Sequence, residues 1–479
     1  MVRPIVMLGI AAIFGQAGQD PPAKPPAEEY KDRVARIKES LADEHYKIGE
    51  YLYGVSMHRW ARDEFRKSIG FSVNHADARK RLGYIKKEGE WEPDPDAALE
   101  TENKKKGDEA IKLKMEYDKR IEKLGKTMGK LYADLGGFCE KNKMTPEAQA
   151  AWKLAIEYDP LNTESRKKLG YVRQGKEGPW LSKFETAIRK EMKEGIAKAP
   201  GGTPRKEETE VEADLGWKHE KRTSKHFLLQ AAGQNQEWLS KEIKHAEHAF
   251  AMFHKIFNQT EDLFQQPFNL IVVKDKSSHE QYIDKYFQGG DSVRKEFSKK
   301  ANGSGGFPRS EWVQGDRPDV HDWVVHVTTE QLFEHLVGGS RPWMREGLAY
   351  HFTKTMFGTA GVLCVNLAGT GAGGEKNLQN PEDWPLVIRT WIRESKDPTI
   401  IEVFKCKDVA ELSGAETVKG WSMIDFLLTE HRERFLEFLS KIRGQKEDDD
   451  EKTLLEVFGW TLEDFDVRWR TYARASYGG

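Results

Sequence analysis

Residues Thr328 to Phe352 read "TTEQLFEHLVGGSRPWMREGLAYHF", and this stretch decides how the C-terminal half is understood. Apolar residues recur along it, interrupted by Gly338-Gly339-Ser340-Arg341-Pro342, so two helices joined by a turn are expected. The polar residues are not scattered. Glu330 and Glu334 stand four apart, as do His326 (just upstream) and Glu330, and residues at that spacing share a helical face. Glu346 lies on the second helix, with His335 and His351 close by in sequence.

Upstream, the pattern alternates between strand and helix. "KHFLLQAA" (Lys225–Ala232) and "FNLIVVKD" (Phe268–Asp275) are short apolar runs of strand length. Between them Leu239, Ile243, Ala246, Phe250, Phe253 and Phe257 mark one face of a helix. His245, His248 and His254 lie on the same helix, where a solvent-facing set is expected. "GSGGFPRSEWVQGDRP" suggests a short edge strand with turns. From Asp319 onward helices dominate. The last segment, "TLLEVFGWTLEDFDVRWRTYARASY", should form two helices broken at Gly459, the second capped by Thr461.

The order strand, helix, strand, helix, edge strand, then a helix pair resembles the peptidase MA-like gluzincins, often found in exported bacterial proteins. "RPWMREGLAYHF" (Arg341–Phe352) is similar to the family's turn-W-x-x-E-G-L-A helix, and the closing "TLLEVFGWTLEDFDVRWRTY" to its terminal helices. The resemblance covers residues 215–479 and implies an α+β zincin-like domain with a helical C-terminal half. In that family two histidines of an HExxH helix and a Glu from the next helix hold zinc, and the intervening Glu activates a water. Setting Glu346 on the third ligand puts the HExxH frame on Thr329-Glu330-Gln331-Leu332-Phe333. Glu330 then takes the vestigial base position, and Thr329 and Phe333 replace both histidines. Neither suits zinc, so no cofactor is expected. A one-turn-shifted set of His326, Glu330 and Glu346 is the rescue candidate, with zinc as its ion. Against it stands the ordinary solvated helix face. Glu334, His335, Arg341, Arg345 and His351 are expected to line the degenerate cleft. Buried without a metal, Glu330 should either resist ionisation or pair with Arg341 or Arg345.

The N-terminal half repeats itself. "FRKSIGFSVNHADARKRLGYIKKEGEW" (Phe65–Trp91) parallels "WKLAIEYDPLNTESRKKLGYVRQGKEGPW" (Trp152–Trp180) at an offset of 87 residues, with two residues inserted before the second Trp. Helical stripes precede both copies: Val34, Ile37, Leu41, His45, Ile48, Leu52, then Leu113, Tyr117, Ile121, Leu124, Met128, Leu131. Stacked helical hairpins are expected. Leu135-Gly136, Ala155 and Asp159-Pro160 make the second copy similar to a tetratricopeptide repeat, while the first has Asn74-His75 in place of the Pro. That resemblance implies a binding or scaffolding module at 29–184. A charged linker is expected at 185–214, where "AKAPGGTPRKEETEVEAD" (Ala197–Asp214) shows no apolar period.

The chain has 479 residues, enough for two or three domains. Its 76 basic and 78 acidic residues nearly cancel, which argues against nucleic-acid partners. Arg3, the apolar run Ile5–Phe14 and Gly15-Gln16-Ala17 form a signal-peptide pattern over 1–17, followed by a Pro-rich tether at 18–28. The protein is therefore expected to be exported, to the periplasm or beyond the cell, with no membrane span. Cys139, Cys364 and Cys406 are too few for a disulfide framework, though Cys364 and Cys406 could pair. Gly369–Gly374 formally fits a dinucleotide loop but no helix follows it, so a mobile loop is expected there. The fold class expected is multidomain: an all-α tetratricopeptide-like domain followed by the α+β gluzincin-like domain. The function expected is protein or peptide binding without catalysis. A zinc metallopeptidase with unorthodox ligands and a purely structural envelope scaffold are the alternatives.

Overall fold

The computed structural model describes residues 24–359 apart from Ala98, Lys176, Glu177, Gly289 and Ser340, then Leu378, 381–445 and 449–477. The signal-peptide segment, Cys364 and the Gly369–Gly374 loop lie outside these residues. The chain divides into two compact units, Met1–Ser165 and Arg166–Gly479. It is mostly helical with a small mixed sheet. No helix among the described residues is long and apolar enough to cross a membrane.

The first unit opens with α1 (Pro26–Gly54), α2 (His58–Phe71), α3 (Ala76–Arg81) and the hairpin β1 (Tyr84–Lys87) and β2 (Glu90–Pro93). The order then recurs along the chain: α4 (Gly107–Lys141) and α5 (Thr145–Tyr158) complete the first unit, α6 (Thr163–Lys168) straddles the division, and β3 (Val172–Arg173) and β4 (Trp180–Leu181) open the second. Adding 87 to the bounds of α2 and α3 gives those of α5 and α6, so the repeat is one of structure as well as sequence. Packing repeats too. Gly49 on α1 faces the Phe65 ring, and Gly136 on α4 faces the Trp152 ring, 87 residues on in both partners. A small residue on one helix makes room for a large aromatic on the next. That places both aromatics in the core.

The second unit carries α7 (Lys183–Glu194), β5 (Thr203–Pro204), α8 (Glu210–Leu215), β6 (Glu220–Thr223), β7 (Phe227–Ala231), α9 (Gln236–Ile256), β8 (Phe268–Val273), α10 (Lys276–Tyr286), α11 (Asp291–Lys300), β9 (Gly303–Ser304) and β10 (Arg309–Val313). Its six strands lie in the order β5-β6-β7-β8-β10-β9. β7, β8 and β10 run parallel, and the outer strands run antiparallel to their neighbours. Alternation along β8 sends Phe268, Leu270 and Val272 into the main core and Ile271 and Val273 into a smaller one with Val211, Tyr282 and Ile283. Helices therefore cover both faces, α9 on one and α8 with α10 on the other. The segment expected as a linker, 185–214, instead contains most of α7, together with β5 and α8. Its charge pattern hides one edge strand and a capped helix: Thr209 and Glu212 form a capping box.

The remainder is helical: α12 (His321–Val337), α13 (Pro342–Phe357), α14 (Trp384–Glu394), α15 (Ile400–Lys405), α16 (Gly414–Ile442, kinked at His431), α17 (Asp450–Phe458) and α18 (Leu462–Ser476). Gly459 in the left-handed region ends α17, and Thr461 caps α18, as its sequence suggests. α12 and α13 lie in the main core with α9 and α16.

The two neighbouring glycines Gly136 and Gly137 give a direct test of the packing. Gly136→Ala should lower stability by about 1–3 kcal/mol, because the methyl group meets the Trp152 ring. Gly137 has open space around a Cβ, so Gly137→Ala should be neutral or stabilising by up to about 1 kcal/mol. Urea unfolding of both variants checks this, and equal effects would remove the packing account.

Candidate functional site

α12 is buried on every side rather than along one stripe. Each residue from Asp322 to Phe333 is buried, including His326, Thr328, Thr329, Glu330 and Gln331. α13 is almost as enclosed, from Pro342 to Met356, with Arg345 and Lys354 reaching further out. Gly347 explains part of the close fit. A Cβ there would stand 2.6 Å from the carbonyl oxygen of Gly420, so α16 can lie directly on α13 only because neither residue has a side chain.

Where α12 and α13 meet, three side chains converge. His326 Nε2 lies 3.4 Å from Glu346 Oε2 and 3.9 Å from Glu330 Oε2. One donor atom from each of the three falls within 4.8 Å of the others. The shifted set considered from sequence is thus brought together, and the exposed-face alternative is excluded by its burial. The frame on Thr329 and Phe333 is not what meets Glu346. Thr329 spends its hydroxyl on the carbonyl of Val325, one turn back, and Phe333 is wholly buried among apolar side chains. The residue facing Glu346 is a histidine one turn earlier.

Arg345 closes the cluster. Its Nε lies 3.4 Å from Glu330, one terminal nitrogen 3.7 Å from Glu346, and the other donates to Glu334. Arg345 and Glu334 are partly exposed, while His326, Glu330 and Glu346 lie behind them. Burial pushes the Glu330 carboxyl well above the usual carboxylate range, and the neighbouring Glu346 charge adds to that. Burial acts on Glu346 in the same direction but is outweighed by His326, by Glu330 and by Arg345, which together hold it down at about 2. The two neighbouring carboxyls are thus pushed apart in acidity, Glu330 upward and Glu346 downward. His326 and Glu330 both face the Glu346 carboxylate, but among the described residues no donor is fully aligned on either of its oxygens.

The resemblance to zinc enzymes demands a test of fit. One imidazole and two carboxylates suffice in number for a catalytic zinc, whose ligands at about 2.1 Å stand about 3.4 Å from each other. The guanidinium tells against it. Arg345 already stands 3.4 Å from Glu330 and 3.7 Å from Glu346, and a divalent ion entering the set would be repelled by that charge.

The other residues expected in the cleft scatter. Arg341 turns away and forms a buried bidentate pair with Asp450 at 2.7 and 2.9 Å, leaving Arg345 alone to meet Glu330. His335 bonds the carbonyl of Gln331 and packs edge-on against Phe264 and Phe307. His351 lies 3.5 Å from Asp425, in a buried network with Arg189, Tyr472 and Tyr477. Nothing in one-dimensional spacing announces that network, because Arg189, His351 and Asp425 are far apart in the chain. The histidines of α9 are also corrected. His245 is buried beside Glu242, and His248 meets the carbonyls of Glu191 and Met192, because α7 covers the face expected to be wet. Cys406 is buried near the carbonyls of Glu402 and Glu411.

No protein-family model matches this chain, and no curated protein matches it either.

His351 gives a pH test independent of the α12–α13 cluster. Burial, aided by Arg189 and opposed by Asp425, lowers its imidazole from 6.5 to about 4. As pH falls below 6.5 the unfolded chain takes up this proton and the folded chain does not, so stability is lost between about 6.5 and 4. From pH 7 to pH 5 the His351 share of that loss is about 2 kcal/mol. Urea midpoints at both pH values should converge in His351→Gln relative to wild type. An unchanged gap would show that His351 is not the group responsible.

Proposed function

We propose that this is an exported, non-catalytic protein that binds protein or peptide partners, built on a degenerate gluzincin-like domain preceded by tetratricopeptide-like helical hairpins. The observation that carries the reading is Arg345. Its guanidinium compensates the two buried carboxylates that a peptidase of this kind would spend on metal and water. Arg345 stands against all three carboxyls of the cluster, 3.4 Å from Glu330, 3.7 Å from Glu346 and bonded to Glu334, so none is free to serve an open metal or water site.

Binding is supported by the repeats. In each copy the turn after the second helix exposes an aliphatic side chain, Val73 at 63% and Leu161 at 51%. The two side chains stand one position out of register (Val73 corresponds to Pro160, Leu161 to Asn74), and exposed apolar groups of this kind offer a surface on which a peptide can pack. The near-neutral charge of the chain favours peptide over nucleic acid. The zinc-peptidase alternative draws on one observation, the convergence of His326, Glu330 and Glu346.

Two measurements on the full chain separate these readings. Mixed peptides should stay intact with or without added zinc, whereas cleavage that disappears in Glu346→Gln would establish the peptidase. Binding to a peptide array should fall at least tenfold in the Val73→Asp/Leu161→Asp double variant while circular dichroism is unchanged. Undiminished binding would remove the hairpins from the proposal.

A further inference from the structure

We infer that Arg345 is a built-in counter-cation that masks a divalent-metal site, and that His326, Glu330 and Glu346 become a functional zinc- or cobalt-binding set once that charge is removed. Charge accounting points there first. Three carboxylates, Glu330, Glu334 and Glu346, surround one guanidinium. Pairing Arg345 with Glu334 leaves two carboxyls and an imidazole, and once an ion displaces any proton on Glu330 their summed charge of minus two matches one divalent ion.

Geometry points the same way. The His326–Glu346 and His326–Glu330 separations of 3.4 and 3.9 Å are close to those between ligands of one tetrahedral ion. Glu346 is nearly inaccessible at 1%, yet among the described residues no donor is fully aligned on its oxygens, His326 and Glu330 only facing them. Such atoms are costly to bury, and a cation aimed between them would satisfy both. The ligands also sit on two helices packed into the core, with Gly347 against Gly420 fixing α13, so removing one partly exposed side chain should leave their positions intact. Arg345 is that side chain, standing between the buried donors and solvent. The fourth ligand of a bound ion would be water or a substrate group entering where the guanidinium now lies.

This inference rests on the reading of Arg345 given above. Its test uses a metal ion and no peptide, so the two can fail separately. Co²⁺ and Zn²⁺ are titrated into the full mature chain, with cobalt absorption and zinc stoichiometry as readouts. Wild type and Arg345→Lys, which keeps the charge, should bind weakly. Arg345→Met should take up one equivalent at least 100-fold more tightly, with the absorption of a tetrahedral cobalt centre. Arg345→Met/Glu346→Gln should lose it. Tight binding by wild type overturns the masking, and equal tightening in Arg345→Lys overturns the role of charge. No tightening in Arg345→Met, or its persistence in the double variant, overturns the site. Should Arg345→Met be unfolded without metal, recovery of its native circular dichroism on adding zinc supports the site, and no recovery overturns it.

Discussion

Two carboxylates buried side by side cannot both stay charged unless something positive stays with them. That constraint organises the second unit around the crossing of α12 and α13. Removing an ionised carboxylate from water costs several kcal/mol even after the protein relaxes, and here two are removed together. The chain meets the cost in three ways at once: a Glu330 carboxyl whose burial raises it above the usual carboxylate range, the imidazole of His326 beside Glu346, and the guanidinium of Arg345 across both. Each is a local solution, and together they make the crossing electrically self-contained. A peptidase would leave that balance open for an ion and a water molecule.

The same rule runs through the rest of the core. Arg341 is matched by Asp450, Lys419 by Asp397 and Asp466, with Arg470 bonding both acids, and Arg189 by Asp425. These pairs add little net stability, because desolvation offsets most of the attraction, but breaking one strands its partner at a cost of about 3–5 kcal/mol. Helices such as α12 and α13 have no apolar stripe to choose which side faces inward, since nearly all sides do. Side chains that must find one particular partner can then set their rotation and depth, which apolar contacts alone would leave loosely determined.

How much of this could be read beforehand depended on how local each signal was. The strands β7 and β8, the stripe of α9 and the Gly459 break depend on neighbours within a turn or two, the 87-residue repeat shows by direct comparison of its two copies, and the structure has them all. The segment 185–214 misled, because short capped helices and two-residue edge strands carry no apolar period. The frame on Thr329 and Phe333 raises a different point. Counting back from Glu346 assumes a turn of fixed length between the helices, whereas the partner of Glu346 is set by how α13 folds back on α12. Spacing alone did allow His326, Glu330 and Glu346 to share a site. It could not tell that the shared face points into the core instead of into water, and burial is what turns three ordinary polar residues into a coupled set.

Burial also decides what the crossing can do next. At an exposed surface, an arginine beside two glutamates is worth less than about 1 kcal/mol and could be exchanged freely. Beside the partly exposed Glu334, the same guanidinium faces three buried side chains, His326, Glu330 and Glu346, and its charge is part of what balances them. Catalytic and non-catalytic versions of such a crossing need not differ in fold, nor in most of their ligands. The difference rests on which cation the buried carboxylates keep, one carried by the chain itself or one taken from solution.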